Sequence, residues 1–164
     1  MIDIHTHILP GIDDGPEDMA ETLAMCRIAV EDGITDVVAT PHMLKAPYDV
    51  SRDAVLEKVA ELNARLSAEG IPLTIHKGAE ISISPEIPGL LREGRLLTLA
   101  GGGTHVSLEL TDIFLSDPVE DLIRKLAEDG VTPVISHPER NAMVQKDPGL
   151  LGRFREAGAL FQVT

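Results

Sequence analysis

Short β-branched runs alternate with longer stretches of helical spacing along the whole 164-residue chain, and this alternation constrains the fold more than any other feature. The first run covers residues 2–5. Met19, Leu23, Cys26 and Val30 then share one stripe of a helix expected at about 17–32, with Gly33 as its stop. Residues 36–40 form a second strand. A helix at about 52–69 follows, carrying Val55, Val59, Leu62 and Leu66, and Gly70 and Pro72 close it. Further strands are expected at 73–79, 105–110, 133–136 and 159–163. Asp117-Pro-Val-Glu120 reads as a helix start, with Asp117 as N-cap and Pro118 at the first helical position. Asp147-Pro148 starts another helix, while 85–99 shows no period that favours one element. The pattern predicts an α/β protein on parallel strands. A closed (β/α) barrel takes about 250 residues, so this chain reads as one domain, 1–164, with its barrel incomplete at the C-terminus.

The ends of those strands carry the chemistry. They run into His5-Thr-His7, Thr40-Pro-His42, Gly78-Ala-Glu80, Leu108-Glu109 and Ser136-His137. The C-terminal ends of parallel strands converge on one face, where barrel enzymes build their sites. A lone histidine at a strand end is more often structural than functional. The His5-Thr-His7 pair does not decide the matter either, on the expectation that its two imidazoles leave the strand in different directions. Recurrence over five strands does decide it, and points to a metal centre of nitrogen and oxygen donors suited to zinc, manganese or iron. His76 and His105 sit within or at the start of strands and are given structural roles. In the loop Ile8-Leu-Pro-Gly-Ile-Asp-Asp-Gly15, turn chemistry competes with a further ligand role for Asp13 or Asp14. Arg140, three residues past His137, is placed to fork a phosphate, and Lys45 to contact one less specifically.

Composition removes other classes. The formal charge is −13 with pI ≈ 4.7, and aromatics are 2%, so neither phosphate-backbone attraction nor base stacking is available for nucleic acid. The single cysteine, Cys26, lies on an apolar helix stripe, and the residue six further on is Asp32 rather than the Arg that cysteine phosphatases use. No glycine-rich nucleotide loop occurs. No apolar run nears the ~18 residues of a membrane span, and the start has no signal-peptide pattern, so a cytoplasmic location and no membrane insertion are expected.

His5-Thr-His7-Ile-Leu-Pro-Gly-Ile-Asp-Asp-Gly-Pro16, Thr40-Pro-His42, Gly78-Ala-Glu80 and Ser136-His-Pro-Glu-Arg-Asn141 together resemble the PHP (polymerase and histidinol phosphatase) superfamily. Within it they are most similar to the bacterial manganese-dependent protein-tyrosine phosphatases of capsular and exopolysaccharide clusters. The resemblance runs over essentially the whole chain. It implies a distorted (β/α)7 TIM-like barrel and three metal ions, usually manganese, with iron or zinc as alternatives. Carried over by position, His5, His7 and Glu80 hold one metal. Glu80 bridges to a second, shared with Glu109 and His137, and Asp14 and His42 belong to a third. Arg140 matches an arginine that binds the substrate phosphate. The family pattern continues with a late Asp-x-His that this sequence, ending at Thr164, does not contain, hence the expectation of a C-terminally truncated domain.

The function these features imply is metal-dependent hydrolysis of phosphotyrosine on a bacterial tyrosine autokinase. Histidinol-phosphate or other small-molecule phosphatase activity is the nearest alternative, and a non-catalytic metal-binding module is another. Nothing in the sequence specifies the oligomeric state.

Overall fold

A computed structural model of the chain describes residues 1–48, 50–112 and 116–164. The alternation resolves into strands β1 (Ile2–Thr6), β2 (Asp36–Ala39), β3 (His42–Met43), β4 (Thr74–Lys77), β5 (Glu80–Ser82), β6 (His105–Glu109), β7 (Thr132–Ser136) and β8 (Leu160–Gln162). The helices are α1 (Met19–Glu31), α2 (Arg52–Glu69), α3 (Ile87–Arg92), α4 (Ser116–Glu128), α5 (Ala142–Lys146) and α6 (Gly149–Ala157). Every strand pairing is parallel, in the orders β1-β2-β4 and β3-β5-β6-β7-β8.

These two sheets share one register. Asp36 faces Thr74 and His42 faces Glu80, both 38 residues apart (74 − 36 and 80 − 42). β2–β3 and β4–β5 are therefore two strands, each creased once at the same level, by Thr40-Pro41 and by Gly78-Ala79. Pro41 has no N–H to give the ladder, but its carbonyl accepts from the Glu80 amide at 3.0 Å. Gly78 is required by proximity: a Cβ there would meet Val38 Cγ1 at 2.6 Å and the Ala39 carbonyl oxygen at 3.0 Å.

Helix boundaries follow local chemistry. Asp18 caps α1 by accepting from the Glu21 amide at 2.9 Å, and Leu23 and Cys26 are buried on its expected stripe. Ser51 caps α2, Val55, Leu62 and Leu66 are buried, and Gly70 in the left-handed region ends it. α4 begins at Ser116, one residue before the expected cap, so Asp117 sits in its first turn. The unassigned tract 85–99 holds α3, only six residues long and with a proline at its start. α5 was not anticipated: Asn141 caps it by accepting from the Met143 and Val144 amides.

The larger apolar core joins α1 and α2 to the early strands, through Val37, Ile75, Ile81, Val106 and Leu108. A second cluster packs Ile123 of α4 and Phe154 of α6 against Ile135 of β7. The helices shield the flanks, leaving the C-terminal ends of the strands free to frame a cleft.

Candidate metal centre

That cleft, ≈ 440 Å³, is lined by His5, His7, Asp14, His42, Lys45, Glu80, Glu109, His137 and Arg140, all singled out in the sequence, while Asp13, the alternative to Asp14, does not line it. His76 and His105 do not line it. His76 Nε2 instead pairs with Asp36 Oδ1 at 2.8 Å, and His105 Nδ1 lies 2.9 Å from the Thr104 hydroxyl.

The H-x-H expectation needs correction. His5 and His7 enter the same cleft, with ring centroids 5.6 Å apart, because residues two apart on a strand share a face. A register shift between Asp3 and Thr6 bends this end of β1 without separating them.

Glu80 is the hub. Its side chain is fully buried, and the Oε1 atom lies 2.8 Å from His137 Nε2 and 3.4 Å from His5 Nε2. Its Oε2 atom lies 3.5 Å from His7 Nε2 and 3.2 Å from His42 Nδ1. Burial alone would raise the Glu80 pKa, yet the surrounding imidazoles hold it well below the usual carboxylate range. Reciprocally, the Glu80 carboxylate raises the pKa of His137.

Partners outside the cleft fix which ring nitrogen each histidine presents. Gln162 Oε1 lies 2.8 Å from His5 Nδ1, so Nδ1–H donates there and Nε2 keeps its lone pair for Glu80's side of the cleft. The Gln162 carbonyl also accepts from the His137 amide at 2.7 Å, so one residue of β8 steadies two histidines. His137 adopts φ 32, ψ 48. This left-handed turn starts the short helix Pro138–Arg140, whose last residue also lines the cleft.

The adjacent aspartates separate by environment. Asp13, with a fully buried side chain, approaches His7 Nδ1 at 2.6 Å and accepts from the His42 amide at 3.0 Å and the Gly15 amide at 3.1 Å. Asp14 is half exposed, with its oxygens 3.2 Å from His7 Nδ1 and 3.5 Å from His42 Nε2. Asp13 is thus committed to protein donors, and Asp14 faces the cleft. Burial opposes the protonated form of His7, but the hydrogen bond to Asp13 and the negative charges of Asp13 and Glu80 overcome it and hold the pKa at about 10. His42 moves the other way: burial, then the positive charges of His7 and Lys45, lower its pKa.

Among the described residues, three groups of side chains bring ligand atoms close enough to hold an ion: His5, His7 and Glu80; His7, Asp14 and His42; and His42, Glu80 and Glu109. The first matches the expected set. In the second, Asp13 already engages His7 Nδ1, which reduces the shared pair to Asp14 and His42, as expected. The third contains His42 where the sequence suggested His137, whose Nε2 is bonded to Glu80. His42 Nδ1, Glu80 Oε2 and Glu109 Oε2 are buried and have no hydrogen-bond partner. His42 Nδ1 lies 3.2 Å from that Glu80 oxygen and 3.7 Å from that of Glu109. Buried polar atoms seldom remain unpaired, and two buried carboxylate oxygens, Glu80 Oε2 and Glu109 Oε2, converging beside an imidazole are what a divalent cation requires. The residues fit a metal.

Sequence reasoning missed three features here. Lys45 Nζ reaches Glu109 Oε1 at 2.7 Å, Asp112 lines the cleft, and Tyr48 stacks on His42 with centroids 5.7 Å apart. Only Lys45, already noted for its nearness to His42, carried any signal.

Parallel strands delivering buried carboxylates and imidazoles to one cleft define an α/β protein with a metal-type centre. The model of a family described as capsular polysaccharide synthesis, CpsB/CapC, matches residues 1–164, and the chain belongs to that family. It is 40% identical over 164 residues to the tyrosine-protein phosphatase YwqE of Bacillus subtilis (strain 168), with 100% of this chain and 64% of that protein aligned. The putative tyrosine-protein phosphatase CapC of Staphylococcus aureus is 32% identical over 168 residues, again covering 100% and 64%. The tyrosine-protein phosphatase CpsB of Streptococcus pneumoniae is 24% identical, covering 99% and 67%. A solved structure, from work on YwqE and CpsB described as unique metal-dependent tyrosine phosphatases, superposes with TM-score 0.94 at 40% identity, covering 99% of this chain and 66% of the other. The chain thus spans a little under two thirds of the length of the first two relatives.

Proposed function

We propose that this chain is a metal-dependent phosphomonoesterase domain that hydrolyses phosphotyrosine. The observation that carries the reading is the convergence of two buried, unpartnered carboxylate oxygens, Glu80 Oε2 and Glu109 Oε2, beside the strand-end histidines. Electrostatics argue the same way. Asp14, Glu80, Glu109 and Asp112 face Lys45 and Arg140 across one cleft, so a phosphate would be repelled unless further positive charge were held there.

In this reading His5, His7 and Glu80 hold one divalent ion, Glu80, Glu109 and His137 a second, and Asp14 and His42 a third, manganese being the favoured metal. What such ions supply is an acidified water and positive charge against the phosphate oxygens. The protein's part is positional. Gln162 and Asp13 fix the tautomers of His5 and His7, leaving Nε2 on each as the ligand atom. Arg140, two thirds exposed at the rim and 4.0 Å from Glu139, is free to turn its guanidinium onto two phosphate oxygens. A phenolic leaving group with pKa about 10 needs less help from an acid than an alkoxide.

The strand order, with Gln162 of the last strand bonded to His5 of the first, supports reading residues 1–164 as a single PHP-type unit of a TIM-like barrel. Names of relatives support a substrate in capsular or exopolysaccharide synthesis, for which a phosphorylated bacterial tyrosine autokinase is the natural candidate. Among the described residues no helix is long and apolar enough to cross a membrane, and action in the cytoplasm completes the proposal. The test is turnover of p-nitrophenyl phosphate and phosphotyrosyl peptides during manganese titration, beside histidinol phosphate and other alkyl phosphates. Metal-dependent turnover favouring aryl phosphates is expected. Absence of any metal-dependent rate, or a preference for alkyl esters, overturns it.

A further inference from the structure

We propose that Lys45 is a built-in cation that competes with metal for the Asp14/His42 position, so that this position is the last of the centre to fill. The inference rests on the metal-centre reading above and concerns the order of occupancy within it.

Lys45 stands two residues past β3, and its chain turns back at once: the Tyr48 amide donates to the Lys45 carbonyl at 2.8 Å, while the Tyr48 ring stacks on His42. This tight turn holds the Lys45 stem over the cleft. Its ammonium lies 2.7 Å from Glu109 Oε1 and 3.2 Å from His42 Nε2, with the side chain 31% exposed. An ammonium has donors only, so the ring nitrogen it faces must offer a lone pair. That nitrogen is also the one 3.5 Å from Asp14 Oδ2. Lys45 therefore stands on the ligand atom that an ion between Asp14 and His42 needs.

The rest of the centre meets this competition only at Glu109. Glu109 gives only Oε1 to Lys45, while Oε2 faces His42 Nδ1 and Glu80. No hydrogen bond or ion pair joins Lys45 to His5, His7 or Glu80. An ion held by those residues does not have to move the ammonium, and an ion at Asp14/His42 does. Once displaced, the ammonium still adds positive charge beside the position it left. Competition and repulsion act in the same direction, both weakening that one binding step.

The experiment is stepwise Mn²⁺ titration of the metal-stripped protein, following free Mn²⁺ by electron paramagnetic resonance. Wild type is compared with Lys45→Gln, Lys45→Met, Lys45→Arg and Glu80→Gln. In the Gln and Met variants the weakest step is expected to tighten about tenfold, the order of one partly buried ion-pair contact, while the tighter steps stay within about twofold. Lys45→Arg, which keeps the charge, should resemble wild type. Two neutral variants, each checked for a native thermal transition, guard against a local packing effect. An unchanged or weakened last step in both overturns the proposal while leaving the metal centre intact. Loss of uptake in Glu80→Gln confirms that the steps report this centre. If wild type takes up no Mn²⁺, the metal-centre reading fails and this proposal fails with it.

Discussion

Asp13 holds His7 from behind: its Oδ2 lies 2.6 Å from His7 Nδ1, and the remaining capacity of the carboxylate is taken by the His42 and Gly15 amides. One residue of the loop after β1 thus sets the tautomer of one candidate ligand and the backbone position of another.

Asp13→Asn should therefore weaken metal binding about 10- to 100-fold, the range for groups that orient a ligand, although Asp13 touches no ion. Asp14→Asn should remove one ligand and lower the metal stoichiometry without lowering the thermal midpoint of the metal-free protein, since Asp14 is half exposed and accepts no backbone amide. Metal analysis beside thermal unfolding separates the two. Equal effects of both substitutions on stability and stoichiometry would contradict the assignment.

Glu80→Gln should abolish most metal uptake, because its two oxygens serve different neighbours: His137 and His5 on one side, His7 and His42 on the other. His76→Ala should leave uptake unchanged, as its partner is Asp36, away from the cleft. Inductively coupled plasma mass spectrometry on both variants is the check.

Arg140→Lys should lower kcat/KM at least tenfold, about 1.4 kcal/mol of transition-state binding, with metal content unchanged. A lysine cannot reproduce the two-pronged guanidinium contact, and the Arg140 guanidinium pairs with Glu139 rather than with the imidazole–carboxylate cluster. Loss of metal in this variant would make Arg140 structural instead.

Proton release provides a pH test. The His7 pKa is raised from an ordinary 6.5 to about 10 in the metal-free protein. Its folded-state protonation therefore stabilises the metal-free fold fully below about pH 6.5, and that contribution is lost as pH rises toward 10. Metal needs the deprotonated ring. Apparent Mn²⁺ affinity should thus climb with pH across that window, and the metal-free protein should lose stability as the metal-bound form gains it. Calorimetry in buffers of different ionisation enthalpy should show protons released on binding at pH 7.5, fewer in His7→Ala. A pH-independent affinity in wild type would refute it.

Much of this was legible in the sequence because the strands are short and uniformly parallel. Five of the six β-branched runs end at or beside a His or Glu, so the periodicity that located the strands also located the donors. What could not be read were contacts between segments distant in the chain. Gln162 on His5, across 157 residues, and Lys45 on Glu109, across 64, leave no local trace. The choice between Asp13 and Asp14 turned on which carboxylate the loop buries, a packing outcome invisible to turn propensity. α3 and α5 were missed or left unassigned because six and five residues are too few to display a period.

The creases at Thr40-Pro41 and Gly78-Ala79 also limit how the chain can change its length. Side chains alternate faces along a strand, so removing one residue at Gly78-Ala79 would turn Glu80 from the cleft toward the helices and leave His42 without its neighbour. A matching deletion at Thr40-Pro41 would restore the pairing but turn both residues away together. Insertions and deletions can accumulate in the turns beyond β3 and β5. The two creases tolerate none singly, which makes two segments 38 residues apart (80 − 42) a single unit of inheritance.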